Sequence, residues 1–135
     1  MTLIDRLSKL DGPDRGLDAE ICILLQYGGE NSEGAVNVRT DPEWDDNDLL
    51  FEINEEGCCN PIPELTDSVD AAIALSESVL PGYRWSAGFS RHVPHNAQIW
   101  VASGSGYYEG ESDANRAIAI CIAILRAKGA SHDAR

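Results

Sequence analysis

One segment near the carboxyl end constrains the fold more than any other part of the chain. Residues 117–125 read AIAICIAIL, an uninterrupted apolar run. A membrane span needs about 20 such residues, so this run is too short to cross a bilayer. Because the run is apolar around its whole circumference, we predict a helix over 113–128 that is buried in the core, with Ser112 as its N-cap.

Length and composition are typical of one folded domain. The chain has 135 residues, of which 43% are hydrophobic and 24% charged, and these proportions are typical of a folded soluble protein rather than a disordered one. We therefore predict a single domain over 1–135 that ends in a frayed tail at 129–135. The first residues lack the pattern of a signal peptide, and the four cysteines lack disulfide spacing, so we expect a cytoplasmic protein with no membrane association.

Apolar periodicity and break signals divide the rest of the chain into helices and strands. Further helices are predicted over 2–10, 15–27 and 68–79. Strands are predicted over 35–39, 49–53, 83–89 and 97–102. Thr66 or Asp67 is the expected cap of the third helix, and the last two strands form a hairpin around a loop at 91–96. The predicted fold class is α/β (α+β), a single compact domain with a small antiparallel sheet packed with helices.

Charge is distributed unevenly along the chain. The net charge is −13, and residues 30–67 hold 12 acids and the single base Arg39, whereas residues 68–135 hold 6 acids and 6 bases. Binding to nucleic acid depends on Lys and Arg side chains that neutralise phosphates, so we expect no direct binding of nucleic acid. The partner that suits such a segment is a basic protein surface.

The acidic segment 30–67 contains the candidate partner-binding residues. These are Asp41, Glu43, Trp44, Asp45, Asp46, Asp48, Phe51, Glu52, Glu55 and Glu56. The carboxylates would supply the electrostatic field, with Trp44 and Phe51 as apolar anchors. If the segment is held extended, its charge density approaches that of a nucleic-acid strand. Two interpretations stay open, since the acids could bind a partner or only keep the protein soluble, and Trp44 could also pack back onto the domain.

The patterns expected of catalytic, cofactor and metal sites are incomplete. The Gly-rich segment 104–110 is followed by no Lys, and acids beside it would repel a phosphate, so we predict a plain turn. The H-x-x-H pair at 92–95 has no C-x-x-C partner, and we place Cys58 and Cys59 in a turn. The acids at 41–52 lack the glycine of an EF-hand loop. No serine lies in a G-x-S-x-G elbow, so we predict no catalytic residues, no cofactor, no metal and no enzyme activity.

Four separated segments of the chain resemble a known family. They are 12–21 (which follows 3–7), 65–75, 80–88 and 117–127. In this order they resemble the phage ABA-sandwich domain family of small phage and prophage proteins, over about half of the chain. The resemblance implies a compact sandwich-like fold of helices and a small antiparallel sheet, and it carries no catalytic residues.

The resemblance and the charge together give a functional hypothesis. We expect a non-catalytic phage or prophage protein that acts in the cytoplasm of the host bacterium. It would bind a basic protein surface, for example on a nucleic-acid-binding host defence protein, and compete there with nucleic acid as an anti-CRISPR or anti-restriction inhibitor. The alternatives are a small phage hydrolase or transferase with a site built from scattered acids, and a purely structural phage protein. The sequence does not define the oligomeric state.

Overall fold

The computed structural model describes residues 2–29, 32–43, 47–88, 95–100 and 106–129. Within these ranges the helices are α1 (Leu3–Ser8), α2 (Arg15–Leu25), α3 (Val69–Val79) and α4 (Arg116–Ala127). The strands are β1 (Val36–Arg39), β2 (Asp48–Ile53), β3 (Glu56–Pro61), β4 (Arg84–Gly88), β5 (His95–Trp100) and β6 (Tyr107–Ser112). The tail predicted at 129–135 lies outside the described residues from 130 onward.

The strands form two antiparallel sheets, each with its strands in sequence order. The first sheet is β1-β2-β3 and the second is β4-β5-β6. The predicted hairpin is confirmed, because β4 pairs with β5 from Arg84 opposite Trp100 to Gly88 opposite Asn96. Part of its predicted loop belongs to β5 instead, and residues 89–94 lie outside the described part of the chain. The α+β fold class is confirmed, with two small sheets where the sequence indicated one.

Helix α4 is the centre of the core, as its composition predicts. All nine residues from Ala117 to Leu125 are buried. The helix packs against β5 and β6 on one side and against α1 and α3 on others, so each part of its circumference has an apolar neighbour. A helix with no polar face is stable only in such surroundings, because any exposed side of it would place apolar surface in water.

The contact between α4 and β6 depends on a single glycine. Gly110 lies on the face of the second sheet that α4 covers, and it is buried. A Cβ atom at this position would collide with the carbonyl oxygen of Ala119 and would lie 2.6 Å from the amide nitrogen of Ala123. Both obstacles are backbone atoms of α4, which cannot move aside as a flexible side chain can. The helix therefore approaches the sheet at a distance that only glycine permits.

Replacing Gly110 by alanine is expected to destabilise the protein strongly. The added methyl group forces α4 away from β6, and overpacking of this kind costs about 3 kcal/mol. Gly57 is the matched control, because a Cβ atom there meets nothing within 4 Å. Urea denaturation should show Gly57→Ala within about 1 kcal/mol of the parent. Equal stability of Gly110→Ala and the parent would contradict the close packing.

Two strands were not predicted from the sequence, and their local chemistry explains why. Cys58 and Cys59 lie in β3, so their predicted placement in a turn is wrong. The turn is instead Asn54–Glu55, where both residues have positive φ (51° and 72°), as a two-residue hairpin loop requires. The turn reads Asn-Glu, because Glu55 stands where the Asn-Gly sequence typical of a two-residue hairpin turn has glycine. Strand β6 occupies much of the segment predicted as a plain turn, because Gly110 there serves packing and not chain reversal.

The predicted helix caps are also displaced. Ser68, not Thr66 or Asp67, caps α3 by accepting a hydrogen bond from the amide of Ala71. Asn115, not Ser112, caps α4, and its side chain accepts from the amide of Ile118 at 2.8 Å. In each case the predicted cap lies upstream of the true one. Thr66 is unavailable as a cap because a buried carboxylate engages its hydroxyl group, as described below.

Candidate functional site

The first sheet carries most of the acidic segment, and its inner face anchors it to the domain. Val38, Leu49 and Phe51 are all buried on this face. Gln26 ends α2 in the left-handed conformation (φ 53°) and turns its side chain toward β1. Its amide oxygen accepts from the N–H of Val38 at 2.8 Å, and its amide nitrogen donates to the carbonyl of the same residue at 3.2 Å. The sheet is thus fixed to the end of α2 through both backbone groups of one strand residue.

Phe51 is not the exposed anchor that the sequence suggested. It is 4% exposed and packs in the core beside Gly28, where a Cβ atom would lie 2.6 Å from its ring. The reason is register, since Phe51 alternates with Leu50 along β2 and takes the inner position. The predicted binding residues Trp44, Asp45 and Asp46 lie outside the described residues.

The remaining six predicted residues form what we call the acidic surface. It comprises Asp41, Glu43, Asp48, Glu52, Glu55 and Glu56. Asp48 and Glu52 alternate with inward residues on β2 and share its outer face. Glu55 and Glu56 lie at the β2–β3 turn, while Asp41 and Glu43 follow β1. The segment therefore doubles back as a hairpin, so the charges spread over a sheet and are not aligned along one extended strand.

One guanidinium group offsets part of this charge. Arg39 lies 3.8 Å from the Glu52 carboxylate, and Asn37 donates to the same carboxylate at 3.2 Å. Both charged side chains are nearly half exposed, so the ion pair contributes at most about 1 kcal/mol. Among the described residues no other ion pair involves the acidic surface. The surface consequently keeps a clear negative excess.

A buried carboxylate holds the segment after β3 against α2. Asp18 is fully buried, and its Oδ1 accepts from the amide of Thr66 at 2.8 Å and from its hydroxyl at 2.7 Å. Its Oδ2 accepts from Arg15 at 2.9 Å. The amide of Asp14 donates to the Thr66 hydroxyl, and Asn115 donates to the Thr66 carbonyl at 2.9 Å. We call these five residues the Asp18 network, which joins α2, the chain before α3 and the start of α4.

Burial raises the pKa of Asp18, although hydrogen bonds from Thr66 and the charge of Arg15 act in the opposite direction. A raised pKa means that the folded state favours the protonated acid. The contribution of protonated Asp18 to the stability of the fold is therefore complete below the unfolded pKa of about 3.9. It is lost as the pH rises through the pKa of the folded state. The network has the character of a structural element, because every polar atom of the carboxylate is directed at a backbone or side-chain donor within the fold.

The pH dependence of stability should reveal this shift. As the pH rises from about 3.5 to about 7, the unfolding free energy of the parent should fall relative to that of Asp18→Asn, which cannot ionise. Urea denaturation of both proteins across this range is the measurement. Thr66→Val removes a hydrogen bond to the ionised Asp18 carboxylate. In proteins that carry this substitution, the decrease in unfolding free energy with rising pH should therefore be larger. If the parent instead became more stable relative to Asp18→Asn as the pH rises, the raised pKa of Asp18 would be contradicted.

A separate cleft lies beside the end of α2. It has a volume of about 810 Å³ and is lined by the loop after α2, by α3 and by Lys128. Glu33 and Glu77 are its carboxylates. The Ser32 hydroxyl on its wall accepts from the amide of Gly28 and donates to the carbonyl of Gly29, so its bonds stabilise the turn.

The four cysteine thiols differ in burial, with Cys22 and Cys121 buried, Cys58 half-buried and Cys59 exposed. Burial raises the pKa of Cys22 to about 12 and raises that of Cys121 further, so neither thiol forms a reactive thiolate near neutral pH. Cys59 is exposed on β3, where desolvation and then the neighbouring Asp48 carboxylate raise its pKa.

Across the described residues no three His, Cys, Asp or Glu side chains are grouped so as to hold a metal ion. The H-x-x-H pair at 92–95, for which the sequence predicts no metal, is only partly described, because residue 92 falls outside the described ranges.

Aromatic side chains are exposed on both faces of the second sheet, with Trp85 on one face and Tyr107 on the other. Trp85 is 39% exposed and Tyr107 is 50% exposed, and the rings of Trp100 and Tyr107 lie 4.9 Å apart. Trp85 lies opposite Ile99, and Trp100 lies between Arg84 and Tyr107. The ring pair was not foreseen because β6, which supplies Tyr107, was not recognised.

Comparison with known proteins leaves the family open. No protein-family model, curated protein or solved structure matches the chain. The resemblance of four segments to the phage ABA-sandwich family therefore stays a prediction. In the part of the chain that the structure describes, every helix is too short or too polar to traverse a lipid bilayer.

Proposed function

We propose that this protein is a non-catalytic binding protein that recognises a basic protein surface through its acidic surface. The observation that carries the proposal is the charge of the first sheet and its loops, where six described carboxylates accompany one guanidinium, that of Arg39, which pairs with Glu52. A surface of this kind attracts Lys- and Arg-rich partners and raises their association rate at low salt.

The geometry of the sheet supports recognition as well as attraction. Strand β2 is paired on both sides, so Asp48 and Glu52 are held at a fixed spacing on its outer face. Glu55 is fixed by a tight turn, with φ at 72°. A partner that docks here orders few additional backbone groups, and this lowers the entropic cost of association.

The surfaces that this charge complements are those that bind nucleic acid. We propose that the partner is a nucleic-acid-binding protein of a host defence system and that this chain competes with nucleic acid for it in the cytoplasm of the bacterium. The resemblance of four segments to a phage family supports an origin in a phage or prophage, and hence a role as an anti-CRISPR or anti-restriction inhibitor. The charge supports the competition, because polyanions and acidic sheets attract the same basic side chains.

Charge reversal on the acidic surface tests the proposal. A partner is captured from a bacterial lysate on the immobilised protein, eluted with double-stranded DNA and purified, and its Kd is measured over a salt series. The triple variant of Glu43, Glu55 and Glu56 to Lys should weaken binding about 10-fold or more at roughly 0.05 M salt. The affinity of the parent should itself fall with added salt, since screening shortens the range of the attraction.

The matched control reverses three exposed acids in the second half of the chain. These are Glu77, Glu109 and Glu111, changed to Lys to give the same net charge as the first variant. The control should bind within about 2-fold of the parent if the position of the charge matters and not merely its amount. Equal losses in both variants, or an unchanged salt slope in the first, would show that the acids are only a solvated surface.

A further inference from the structure

Among the described residues, strand β4 lies at the edge of the second sheet. Within the described part of the chain it pairs with β5 on one side, and Arg84, Trp85 and Ser86 are exposed. An edge strand presents unpaired N–H and C=O groups that can pair with another strand. Edges of this kind are usually blocked by proline, by lysine or by a bulge, and β4 contains none of these, although Arg84 gives one end a charge.

The side chains of β4 complement a second copy of the same strand. In an antiparallel pairing centred on Ser86, Trp85 faces Ala87 of the partner subunit, and Arg84 faces Gly88 of the partner subunit. Each large residue is thus paired with a small one, and each of these two pairs occurs twice, once on either side of the two-fold axis. This register pairs all five residues of β4 and keeps the α4 helices on the same side of the joined sheet, because residues of equal parity face each other.

The distribution of charge also favours a second copy at this edge. The chain carries −13 overall, yet the half that contains β4, residues 68–135, has 6 acids and 6 bases. Two copies that meet through β4 bring their neutral halves together, while residues 30–67 of each copy supply most of the repulsion. Trp85, which is 39% exposed in one copy, would be covered by the partner strand.

We propose that two copies of this protein pair through β4 to form one continuous six-stranded antiparallel sheet. The paired strands are short, so the contact is smaller than the roughly 1,200 Å² of a stable interface, and the dimer should have a Kd of about 10–100 μM. Added salt should strengthen it by screening the net charge. This dependence is opposite in sign to that of the proposed binding to a basic surface, so either proposal can fail without the other.

Sedimentation velocity over a concentration series tests the dimer. Gly88→Lys is the disrupting variant, since among the described residues a Cβ atom at Gly88 meets only the Asn96 Oδ1, at 3.7 Å, and the fold of one copy should tolerate it. In the dimer the new lysine faces Arg84 of the partner subunit, so we expect self-association to weaken about 10-fold or more. Gly88→Glu has similar bulk and the opposite charge, and it should retain or tighten the dimer by pairing with the same arginine.

Gly57→Lys is the matched control, because it adds the same charge to an edge strand of the other sheet in open space. It should leave self-association within about 2-fold of the parent. Hydrogen exchange of the parent provides a measurement that needs no variant, since backbone amides of β4 should become more protected as the concentration rises. A parent that stays monomeric to about 1 mM, or a dimer that Gly88→Lys leaves intact, would overturn the proposal.

Discussion

The close approach of α4 to β6 is the contact on which the rest of the molecule depends. Gly110 lets the backbone of the helix touch the backbone of the strand, with Ala119 and Ala123 as its neighbours. At that distance the second sheet, α1 and α3 can all contact a helix that has no polar side. A wider separation would leave cavities along an apolar helix, where lost contacts are not replaced by water.

The first sheet depends on polar connections as well as on its apolar inner face. Gln26 holds β1 through both backbone groups of Val38, and Asp18 holds the chain beyond β3 through Thr66. Asn115 links that same threonine to the start of α4. The position of the acidic surface is therefore set in part by buried and partly buried hydrogen bonds whose geometry is directional, in contrast to the apolar contacts that surround α4.

Sequence patterns predicted the parts of this fold that are dictated by apolar content. The burial of 117–125 follows from composition alone, and the β4–β5 hairpin follows from alternation. Strand β3 was missed because its turn places Glu55 at a positive φ, which no local pattern indicates.

The candidate site was predicted in its charge but not in its anchors. Charge can be counted along the chain, and six of the predicted acids do belong to one sheet and its loops. The side of β2 that faces the core depends on the register with its neighbours, and that register places Phe51 inside. The aromatic pair of Trp100 and Tyr107 likewise depends on strand pairing, which brings together residues that are separate in the sequence.

The four cysteine thiols are unequally buried, so their reactivity can report which part of the protein unfolds first. Cys121 in α4 and Cys22 in α2 are inaccessible, so an alkylating reagent reaches them only after the helices separate from their neighbours. Cys59 faces water on β3, and Cys58 is half-buried on the opposite face of that strand. The order in which these four cysteines are alkylated would thus distinguish local unfolding of the first sheet from unfolding of the helical core.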